Sequence, residues 1–520
     1  MATIVLARPP AVLPEMVIQT SQGTPALGTA YLSSSLKKAG HKVIVIDALG
    51  EGLDKFSRIK NTRLLVNGIT ATEIVDRIPL EADVIAVACM FSSDWIYTRQ
   101  VINKIHEAFP NKPIITGGEH ITADPEYSLR SVSRITACVL GEGETTVVEL
   151  CEAILKQQPL HTIKGIAFLD GDRTYNKTAP RPRIGSVDDI PWPDWDNYPI
   201  EKYLDQGFGF NIARGRPMPM LASRGCPYQC TFCSSPLMWT TEWTARDQTD
   251  VVNEMKYYID KYNIDHVEFY DLTSIIKKEW IVNFTKLLIK ENINITWSLP
   301  SGTRSEALDE EVLALLKKSG CNKLTYAPEA GSATTLKRIK KKVKLPRMLK
   351  SIRWATKAGI RVKANLMFGI PGQTKYEIFE TFGFLAKTAW LGMRDVSLFG
   401  FVPYPGSELF FKLLEDQKIN DSIDEYEKFL LGNIYGDSGG MKSWSEHLSD
   451  SGLKATIYTA FFWFYGLSFL FRPHRLFSTI WRIIRSNPIT TLDLLIDGTI
   501  KNIIRGRKRK IEKTIEIQRI

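Results

Sequence analysis

The chain alternates short apolar runs with helix-length amphipathic segments, and it does so in two separate regions. In residues 1–150 five apolar runs end in polar or glycine residues, a pattern typical of strands buried on both faces. These runs lie at residues 4–7, 43–47, 84–89, 114–118 and 137–141. Helical patterns at residues 30–39, 94–109 and 145–156 lie between them. The alternation predicts an α/β fold with a doubly wound parallel sheet, which binds ligands at the carboxyl ends of its strands.

The second region of alternation begins at Met220. Its later strands are predicted at residues 267–270, 295–299, 324–327, 362–368 and 395–401. Six strand–helix units predict a partial (β/α)6 barrel rather than the full eightfold barrel. Between the two regions, residues 163–169 predict a small β appendage, and the Pro- and Trp-rich residues 190–199 predict an irregular linker.

The 520 residues therefore divide into four predicted parts. They are a sheet domain at 1–156, the appendage and linker at 157–219, the barrel at 220–414, and a helical cap with a basic amphipathic tail at 415–520. A hydrophobic content of 44% and a charged content of 24% agree with an ordinary globular protein.

Three cysteines follow the first predicted strand of the barrel, namely Cys226, Cys230 and Cys233. The C-x3-C-x2-C spacing lets three thiolates converge on three irons of a [4Fe–4S] cluster, which normally takes four cysteines. Three ligands leave one iron open for a substrate or a cofactor. The alternatives are a chance cluster and a zinc knuckle, although zinc sites usually have a fourth ligand that is not found nearby here. The remaining cysteines are predicted to be buried free thiols: Cys89, Cys138, Cys151 and Cys321.

The spacing, with Phe232 just before the last cysteine, resembles the radical S-adenosylmethionine (SAM) enzymes, and the resemblance covers the whole barrel segment. It implies that the three cysteines hold a [4Fe–4S] cluster whose open iron chelates the amino and carboxylate groups of SAM. Reductive cleavage of SAM in that family gives a 5′-deoxyadenosyl radical, which abstracts hydrogen from a substrate. The resemblance also implies an external electron donor such as flavodoxin or ferredoxin.

Further positions resemble the SAM-contacting motifs of this family: an aromatic residue beside the adenine, a turn at the ribose and methionine, a glycine-rich turn, and strand ends. Two departures are present, because the second strand ends in one acidic residue where relatives often carry two, and Gln373 replaces a glutamate common in relatives. The positions that the resemblance assigns to SAM are Phe232, Asp271, Glu329, Ser332, Gly369, Gly372 and Phe401.

The amino-terminal region resembles the cobalamin-binding module that precedes this barrel in the largest subclass of radical SAM enzymes. The resemblance rests on residues 24–32, 39–47, 117–120 and 141–144. The Asp-x-His-x-x-Gly motif, whose histidine binds cobalt in other modules, is absent. The alternative is a vestigial domain that binds no cofactor. The positions that the resemblance assigns to cobalamin are Gly117, Gly118, His120, Gly141, Glu142 and Gly143.

The net charge of +10 is concentrated at the carboxyl end, because residues 472–520 hold twelve Lys and Arg against four Asp and Glu. The apolar residues 459–471 are too few to span a bilayer, which needs about 20. Two interpretations remain: an amphipathic segment on an anionic membrane surface, or a helical cap that closes the barrel mouth. The confinement of charge to the tail disfavours nucleic acid as a partner. Residues 1–8 predict a strand rather than a secretory signal, so we expect a cytoplasmic protein, either free or peripheral at a membrane.

Together the resemblances imply a cobalamin-dependent radical SAM methyltransferase that uses SAM cleavage and methylcobalamin to methylate an unactivated carbon. The substrate is expected to be a small molecule, and the aromatic tail favours a hydrophobic one. An alternative is an oxidative cyclase or rearrangement enzyme that acts on a tetrapyrrole or a polycyclic lipid. A third is a non-catalytic binding protein. No acid–base side chain is predicted to be catalytic.

Overall fold

In the computed structural model the described residues are 1–520 except 16–22, 133, 210–214, 421, 433–440, 505–510 and 517–520. The strands of the amino-terminal region are β1 (Thr3–Arg8), β2 (Ala11–Pro14), β3 (Lys42–Asp47), β4 (Phe56–Ile59), β5 (Leu64–Asn67), β6 (Val84–Ala88), β7 (Ile114–Gly117), β8 (Ala137–Val139), β9 (Ile166–Leu169) and β10 (Tyr175–Lys177). Its helices are α1 (Leu27–Lys38), α2 (Ala48–Glu51), α3 (Ala71–Val75), α4 (Trp95–Ala108), α5 (Glu119–Ala123), α6 (Pro125–Ser131) and α7 (Gly143–Leu155).

Five parallel strands form the centre of the first sheet, in the order β3–β1–β6–β7–β8. This confirms the doubly wound parallel sheet. Strands β9 and β10 then extend the same sheet in the antiparallel direction. The residues expected to form a separate appendage therefore lie at the edge of this sheet. Pairing with β8 explains the difference, because Ile166 and Ala167 become completely buried there.

The second region begins with α8 (Ile200–Asp205) and carries the predicted barrel. Its strands are β11 (Pro217–Met220), β12 (Ser223–Arg224), β13 (Thr244–Ala245), β14 (His266–Phe269), β15 (Thr296–Thr303), β16 (Cys321–Glu329), β17 (Arg361–Phe368) and β18 (Asp395–Gly400). Its further helices are α9 (Ser235–Trp239), α10 (Gln248–Tyr262), α11 (Lys278–Lys290), α12 (Glu310–Lys318), α13 (Ala333–Arg338), α14 (Leu345–Lys357), α15 (Lys375–Leu391) and α16 (Glu408–Glu415).

Six strands form one parallel sheet in the order β11–β14–β15–β16–β17–β18, and every neighbouring pair is parallel. Sequential order with a helix after each strand is the (β/α)6 arrangement that the sequence predicts. Within the described residues the two outer strands, β11 and β18, do not pair with each other, so the barrel is open along one side. The carboxyl ends of all six strands lie at the same rim.

The carboxyl-terminal elements are α17 (Ile423–Gly432), α18 (Asp450–Phe471), α19 (His474–Ile484), α20 (Thr491–Ile504) and β19 (Ile511–Ile515). Leu453, near the start of α18, packs against Gly369 and Gly400 at the carboxyl ends of β17 and β18. Tyr465 donates a hydrogen bond of 2.6 Å to Asp395 at the amino end of β18. Helix α18 therefore runs along the flank of the barrel, so this part of the cap predicted at residues 415–471 does not close the barrel mouth. The sixth barrel strand needs a covering helix, and α18 provides it.

A further sheet that the sequence does not predict joins the two ends of the chain, in the order β19–β4–β5–β2. Strand β19 pairs in parallel with β4, so the carboxyl-terminal region is not entirely helical. The basic residues 505–510 of the predicted tail lie outside the described residues. None of the described helices has both the length and the apolar character that crossing a membrane requires.

Candidate active site

The cysteine loop lies between β12 and α9 at the rim of the barrel, and all three thiols are partly exposed. A backbone hydrogen bond of 3.1 Å from Cys233 N to Cys230 O closes the last turn of the loop. Thr273 donates a hydrogen bond of 3.3 Å to the Cys226 sulfur. Burial raises the pKa of Cys230 to about 11, the Lys341 ammonium opposes the rise, and Cys233 and Cys226 add to it.

This arrangement fits a cluster better than a single ion. Within the described ranges no three His, Cys, Asp or Glu side chains lie close enough together to share one metal ion. A [4Fe–4S] cluster does not need such closeness, because each thiolate binds a different iron. The four other cysteines are buried elsewhere in the fold, as predicted.

Lys341 is a site residue that sequence analysis missed. Its ammonium lies 2.8 Å from the Glu329 carboxylate and 5.6 Å from the centre of the Phe232 ring. Burial lowers the pKa of Lys341, but the charges of Glu329 and Cys230 outweigh burial and raise it. A buried cation is thus fixed beside Cys230. Lys341 belongs to a run in which six of residues 337–344 are Lys or Arg, and no local pattern distinguishes it from its neighbours.

The apolar residues assigned to SAM are brought together. Phe401 is buried in one hydrophobic cluster with Ala330, Met367 and Ile370, and Phe232 packs against the same cluster. Glu329 ends β16 with φ of 67°, in the left-handed region that non-glycine residues rarely adopt. The cluster therefore forms an apolar wall beside the cysteine loop, where the adenine of SAM is expected.

The glycine-rich turn after β17 is engaged by protein groups. Gly369 N donates 2.8 Å to the side-chain oxygen of Gln373, and Gly369 O accepts 3.0 Å from Trp444 N. Gly372 N donates 3.0 Å to Glu446. The segment before α18 thus covers the outer side of this turn, and Gln373 stabilises it. The SAM contacts assigned to Gly369 and Gly372 stay predictions.

Two further residues that the resemblance assigns to SAM, Asp271 and Ser332, point into the protein. The Asp271 carboxylate accepts hydrogen bonds of 2.8 Å from Ala222 N and 3.0 Å from the Ser223 hydroxyl, so it anchors the strand that leads into the cysteine loop. Burial raises the pKa of Asp271 to about 6, and these hydrogen bonds oppose the rise. The Ser332 hydroxyl is completely buried and donates to Glu380. For both residues the geometry favours a positioning role, and contact with SAM stays a prediction.

The residues assigned to cobalamin lie at the carboxyl ends of β7 and β8, which face the barrel rim. A Cβ atom on Gly118, where φ is 119°, would lie 2.2 Å from the Cys89 carbonyl oxygen, so only glycine fits there. A Cβ atom on Gly141 would lie 3.6 Å from Met238 O in α9, directly after the cysteine loop. Ser234, adjacent to Cys233, donates a hydrogen bond to Glu119 of α5. The predicted cobalamin edge and the cluster loop therefore lie against each other.

His120 is buried inside the amino-terminal domain. Its Nδ1 lies 2.9 Å from the Ser92 hydroxyl, its Nε2 lies 3.5 Å from the Ser128 hydroxyl, and its ring packs on Trp95. Burial lowers its pKa to about 3, so the ring is neutral. Because both ring nitrogens already have partners, the geometry disfavours the predicted contact with the cofactor. Gly117 and Gly143 lie at the same edge, and their contacts also stay predictions.

Glu142 lies in a buried ion-pair network between the two domains rather than on an open surface. Its carboxylate accepts 2.7 Å from Arg183 and lies 3.5 Å from Arg224, which also pairs with Glu144 at 2.7 Å. The side chain of Arg224 is 2% exposed and covers the ring of Tyr31 at 4.8 Å. Since Arg224 precedes Cys226 by two residues, the network fixes the cysteine loop on the amino-terminal domain.

Comparison with known proteins agrees with this geometry. The Radical SAM superfamily model matches residues 220–385, and the B12 binding domain model matches residues 16–151. An uncharacterized methyltransferase of Pyrococcus horikoshii is 30% identical over 416 residues, which cover 78% of this chain and 82% of that protein. This chain belongs to the cobalamin-binding radical SAM enzymes. Its cofactors are therefore a [4Fe–4S] cluster, SAM and cobalamin.

Other relatives of this radical SAM enzyme differ in their reactions. The cytidylyl-2-hydroxyethylphosphonate methyltransferase of Streptomyces wedmorensis is 27% identical over 418 residues, covering 74% of this chain and 76% of the relative. The anaerobic magnesium-protoporphyrin IX monomethyl ester cyclase of Cereibacter sphaeroides is 26% identical over 404 residues, which cover 76% of this chain and 61% of the cyclase. The structure of the radical SAM methyltransferase TsrM from Kitasatospora setae, with cobalamin and cluster bound, has the same fold. Its TM-score is 0.63 at 17% identity, and the match covers 88% of this chain and 91% of TsrM.

A cleft of about 1360 Å³ on the outside of the barrel reaches the cysteine loop. Tyr228 of the loop lines it, with the Arg304 guanidinium 4.0 Å above the tyrosine ring. Nine lysines and arginines but only two glutamates line the cleft. The sequence analysis did not predict this surface, although the basic run at 337–344 indicates it.

We predict that Arg224→Met destabilises the protein by about 3–5 kcal/mol, because it leaves two buried carboxylates short of a counter-charge. Denaturant unfolding of the cofactor-free protein measures the change. The control is Arg130→Met, which breaks an exposed ion pair with Glu126 and should cost less than about 1 kcal/mol. A variant with Glu144→Gln added to Arg224→Met should regain part of the loss, because Glu144 then needs no counter-charge, whereas Glu142 keeps Arg183. Equal effects of Arg224→Met and Arg130→Met would contradict a role for the network.

Proposed function

We propose that this enzyme transfers a methyl group from SAM to an unactivated carbon of a small molecule. The observation that carries the proposal is the contact between the carboxyl ends of β7 and β8 and the cysteine loop, made by Ser234 with Glu119 and by Met238 beside Gly141. Two cofactor-binding edges that face each other suit a reaction in which both cofactors act on one substrate. When bound, the cluster with SAM supplies a hydrogen-abstracting radical, and cobalamin supplies a methyl donor.

The residues of the chain bind the cluster, orient the cysteine loop and shield the site from water. Three thiolates bind the cluster, and the Lys341 ammonium lies where it offsets their negative charge. Asp271 orients the loop through its hydrogen bond with Ala222, and Arg224 orients it through its ion pair with Glu144 of the cobalamin domain. The apolar wall of Phe232, Phe401 and their cluster excludes water, which protects a reactive radical from side reactions. This division of labour needs no catalytic acid or base.

The names of relatives support methyl transfer, and they also support one alternative. Methyltransferases of Pyrococcus horikoshii and Streptomyces wedmorensis and a hopanoid C-3 methylase of Methylococcus capsulatus are similar to this chain. The magnesium-protoporphyrin cyclases are similar as well, so an oxidative cyclisation is the second candidate. Both reactions would use the same two facing edges, and their products distinguish them.

We predict that the reconstituted enzyme, given a metabolite extract under anaerobic conditions, forms 5′-deoxyadenosine and S-adenosylhomocysteine together. SAM with a deuterated methyl group should give a labelled product that is heavier than its precursor by one methyl group replacing hydrogen, and mass spectrometry detects it. Deoxyadenosine without S-adenosylhomocysteine would instead indicate cyclisation. Cys230→Ala should lose the iron–sulfur absorbance and both products, whereas Cys321→Ala, at a buried cysteine outside the loop, should retain about four irons per chain.

We further propose that an acidic electron donor of the flavodoxin or ferredoxin class docks at the basic cleft. The cleft opens beside the cysteine loop through Tyr228, and Lys341 lines both the cleft and the cluster site. Surfaces of opposite charge steer association and fix orientation. Seven cations of the cleft form no ion pair with any described residue: Lys337, Lys342, Lys344, Arg347, Lys350, Arg353 and Lys387.

We predict that Lys350→Glu with Arg353→Glu weakens binding of a recombinant flavodoxin about tenfold or more, measured by titration at low salt. Deoxyadenosine formation should slow with flavodoxin as reductant but not with dithionite, which needs no docking site. The matched control is Lys286→Glu with Lys290→Glu on α11, which should behave as wild type with both reductants. Unchanged flavodoxin binding would place the donor elsewhere, and equal loss with dithionite would assign the cleft to another role.

A further inference from the structure

Helix α19 presents its apolar side to solvent and its polar side to the protein. Leu476, Phe477, Ile480, Trp481 and Ile484 are all exposed, and Phe477 and Ile484 each reach 71%. These positions recur at the three- and four-residue spacing of one helix face. A surface helix of a globular protein normally shows the opposite arrangement, with its apolar stripe on the core.

The inward side of α19 is held by arginines. Arg475 donates hydrogen bonds of 2.9 Å to Met393 O, 2.8 Å to Gly392 O and 2.8 Å to the Ser468 hydroxyl. Arg482 pairs with Asp493 of α20 at 2.9 Å. These contacts fix the helix with its polar side inward. The apolar side of α19 therefore faces outward because the helix is packed in this orientation.

Neighbouring helices continue the apolar face. Phe462, Trp463 and Leu470 of α18 are exposed, as is Trp390 of α15. The Trp390 and Phe471 rings meet edge to face at 5.0 Å, and Trp463 donates 3.2 Å to Phe382 O, which joins α18 to α15. Extended apolar patches of this kind mark interaction sites, whereas scattered apolar side chains do not.

Guanidinium groups border the same face. Arg485 is exposed and lies 4.2 Å from the centre of the Trp481 ring. Arg394 and Arg472 lie beside Arg475, and Arg472 donates to the carbonyl oxygens of residues 389 and 390 at the end of α15. Burial, together with repulsion by Arg394 and Arg472, lowers the pKa of Arg475 to about 10. Among the described residues the Arg394 guanidinium has no hydrogen-bond or ion-pair partner.

We propose that α18 and α19 form a membrane-binding face by which the protein lies on an anionic bilayer surface. The outward Phe, Trp, Ile and Leu side chains would enter the interface, and Arg394, Arg472 and Arg485 would meet the lipid phosphates. A second copy of the chain fits this face less well, because a two-fold contact would bring like arginine clusters together. An anionic bilayer offers opposite charge and an apolar interior at once.

The face lies at the end of the barrel away from the active site. Arg475 contacts residues 392 and 393, just before the amino end of β18, whereas the cysteine loop lies at the carboxyl rim. The membrane face therefore anchors the enzyme and does not deliver a lipid substrate directly into the site. The cobalamin edge and the cysteine loop lie at the opposite end.

The test is flotation of the full-length protein with vesicles of equal parts phosphatidylcholine and phosphatidylglycerol, compared with phosphatidylcholine alone. The protein should float with the anionic vesicles, less with the neutral ones, and less at high salt. Phe477→Ser with Ile484→Ser should reduce bound protein about tenfold or more without lowering the thermal midpoint, because both side chains are exposed. The matched control, Leu80→Ser with Leu155→Ser, removes exposed apolar side chains elsewhere and should bind as wild type.

A second variant isolates the charge. Arg394→Gln with Arg485→Gln should lower binding to the anionic vesicles and leave the weaker binding to neutral vesicles unchanged. Absence of wild-type binding to both vesicles, or equal binding by the Phe477→Ser/Ile484→Ser variant, would overturn the proposal. A wild-type dimer that the same variant converts to a monomer would assign the face to a second copy and also overturn it.

Discussion

The buried ion pairs of Arg224 with Glu142 and Glu144 determine how the two domains of this enzyme meet. Arg224 belongs to β12, and the chain reaches the first cluster cysteine two residues later. Glu142 and Glu144 flank the start of α7, directly after a strand end assigned to cobalamin. The same side chains therefore join the domains and set the distance between their cofactor edges. Such a network is costly to break on one side only, because a buried charge would then lack its partner.

This constraint explains why residues that sequence analysis assigned to ligands often have protein partners instead. Glu142 binds arginines, Asp271 binds the strand before the cysteine loop, and Ser332 binds Glu380. Radical chemistry needs cofactors held rigidly in a dry cavity more than it needs acid–base groups. The side chains beside the cysteine loop accordingly orient the loop, balance its charge or exclude water.

Much of the fold was predictable, because strands buried on both faces read as continuous apolar runs. Strands β1, β6, β7 and β17 begin or end within a residue or two of their predicted limits, and the cluster cysteines lie together on one loop. Contacts between distant residues were not predictable. Arg224 meets Glu142 across 82 residues, and β19 pairs with β4 from the opposite end of the chain. Neither contact leaves a local pattern.

The periodicity of α19 likewise shows an apolar face but not which way that face points. Only the contacts of Arg475 and Arg482 show that it points outward. Lys341 is a similar case, because its neighbours in the basic run are chemically identical to it. For both α19 and Lys341 the local sequence shows the residue type, whereas the role of the residue depends on tertiary packing.

The most direct test of the central claim, that the two cofactor edges face each other, is electron paramagnetic resonance of the enzyme loaded with both cofactors and reduced. We expect magnetic coupling between cluster and cobalt, seen as faster relaxation of the cobalt signal than in the cluster-free Cys230→Ala variant. Identical relaxation in the two proteins would contradict it.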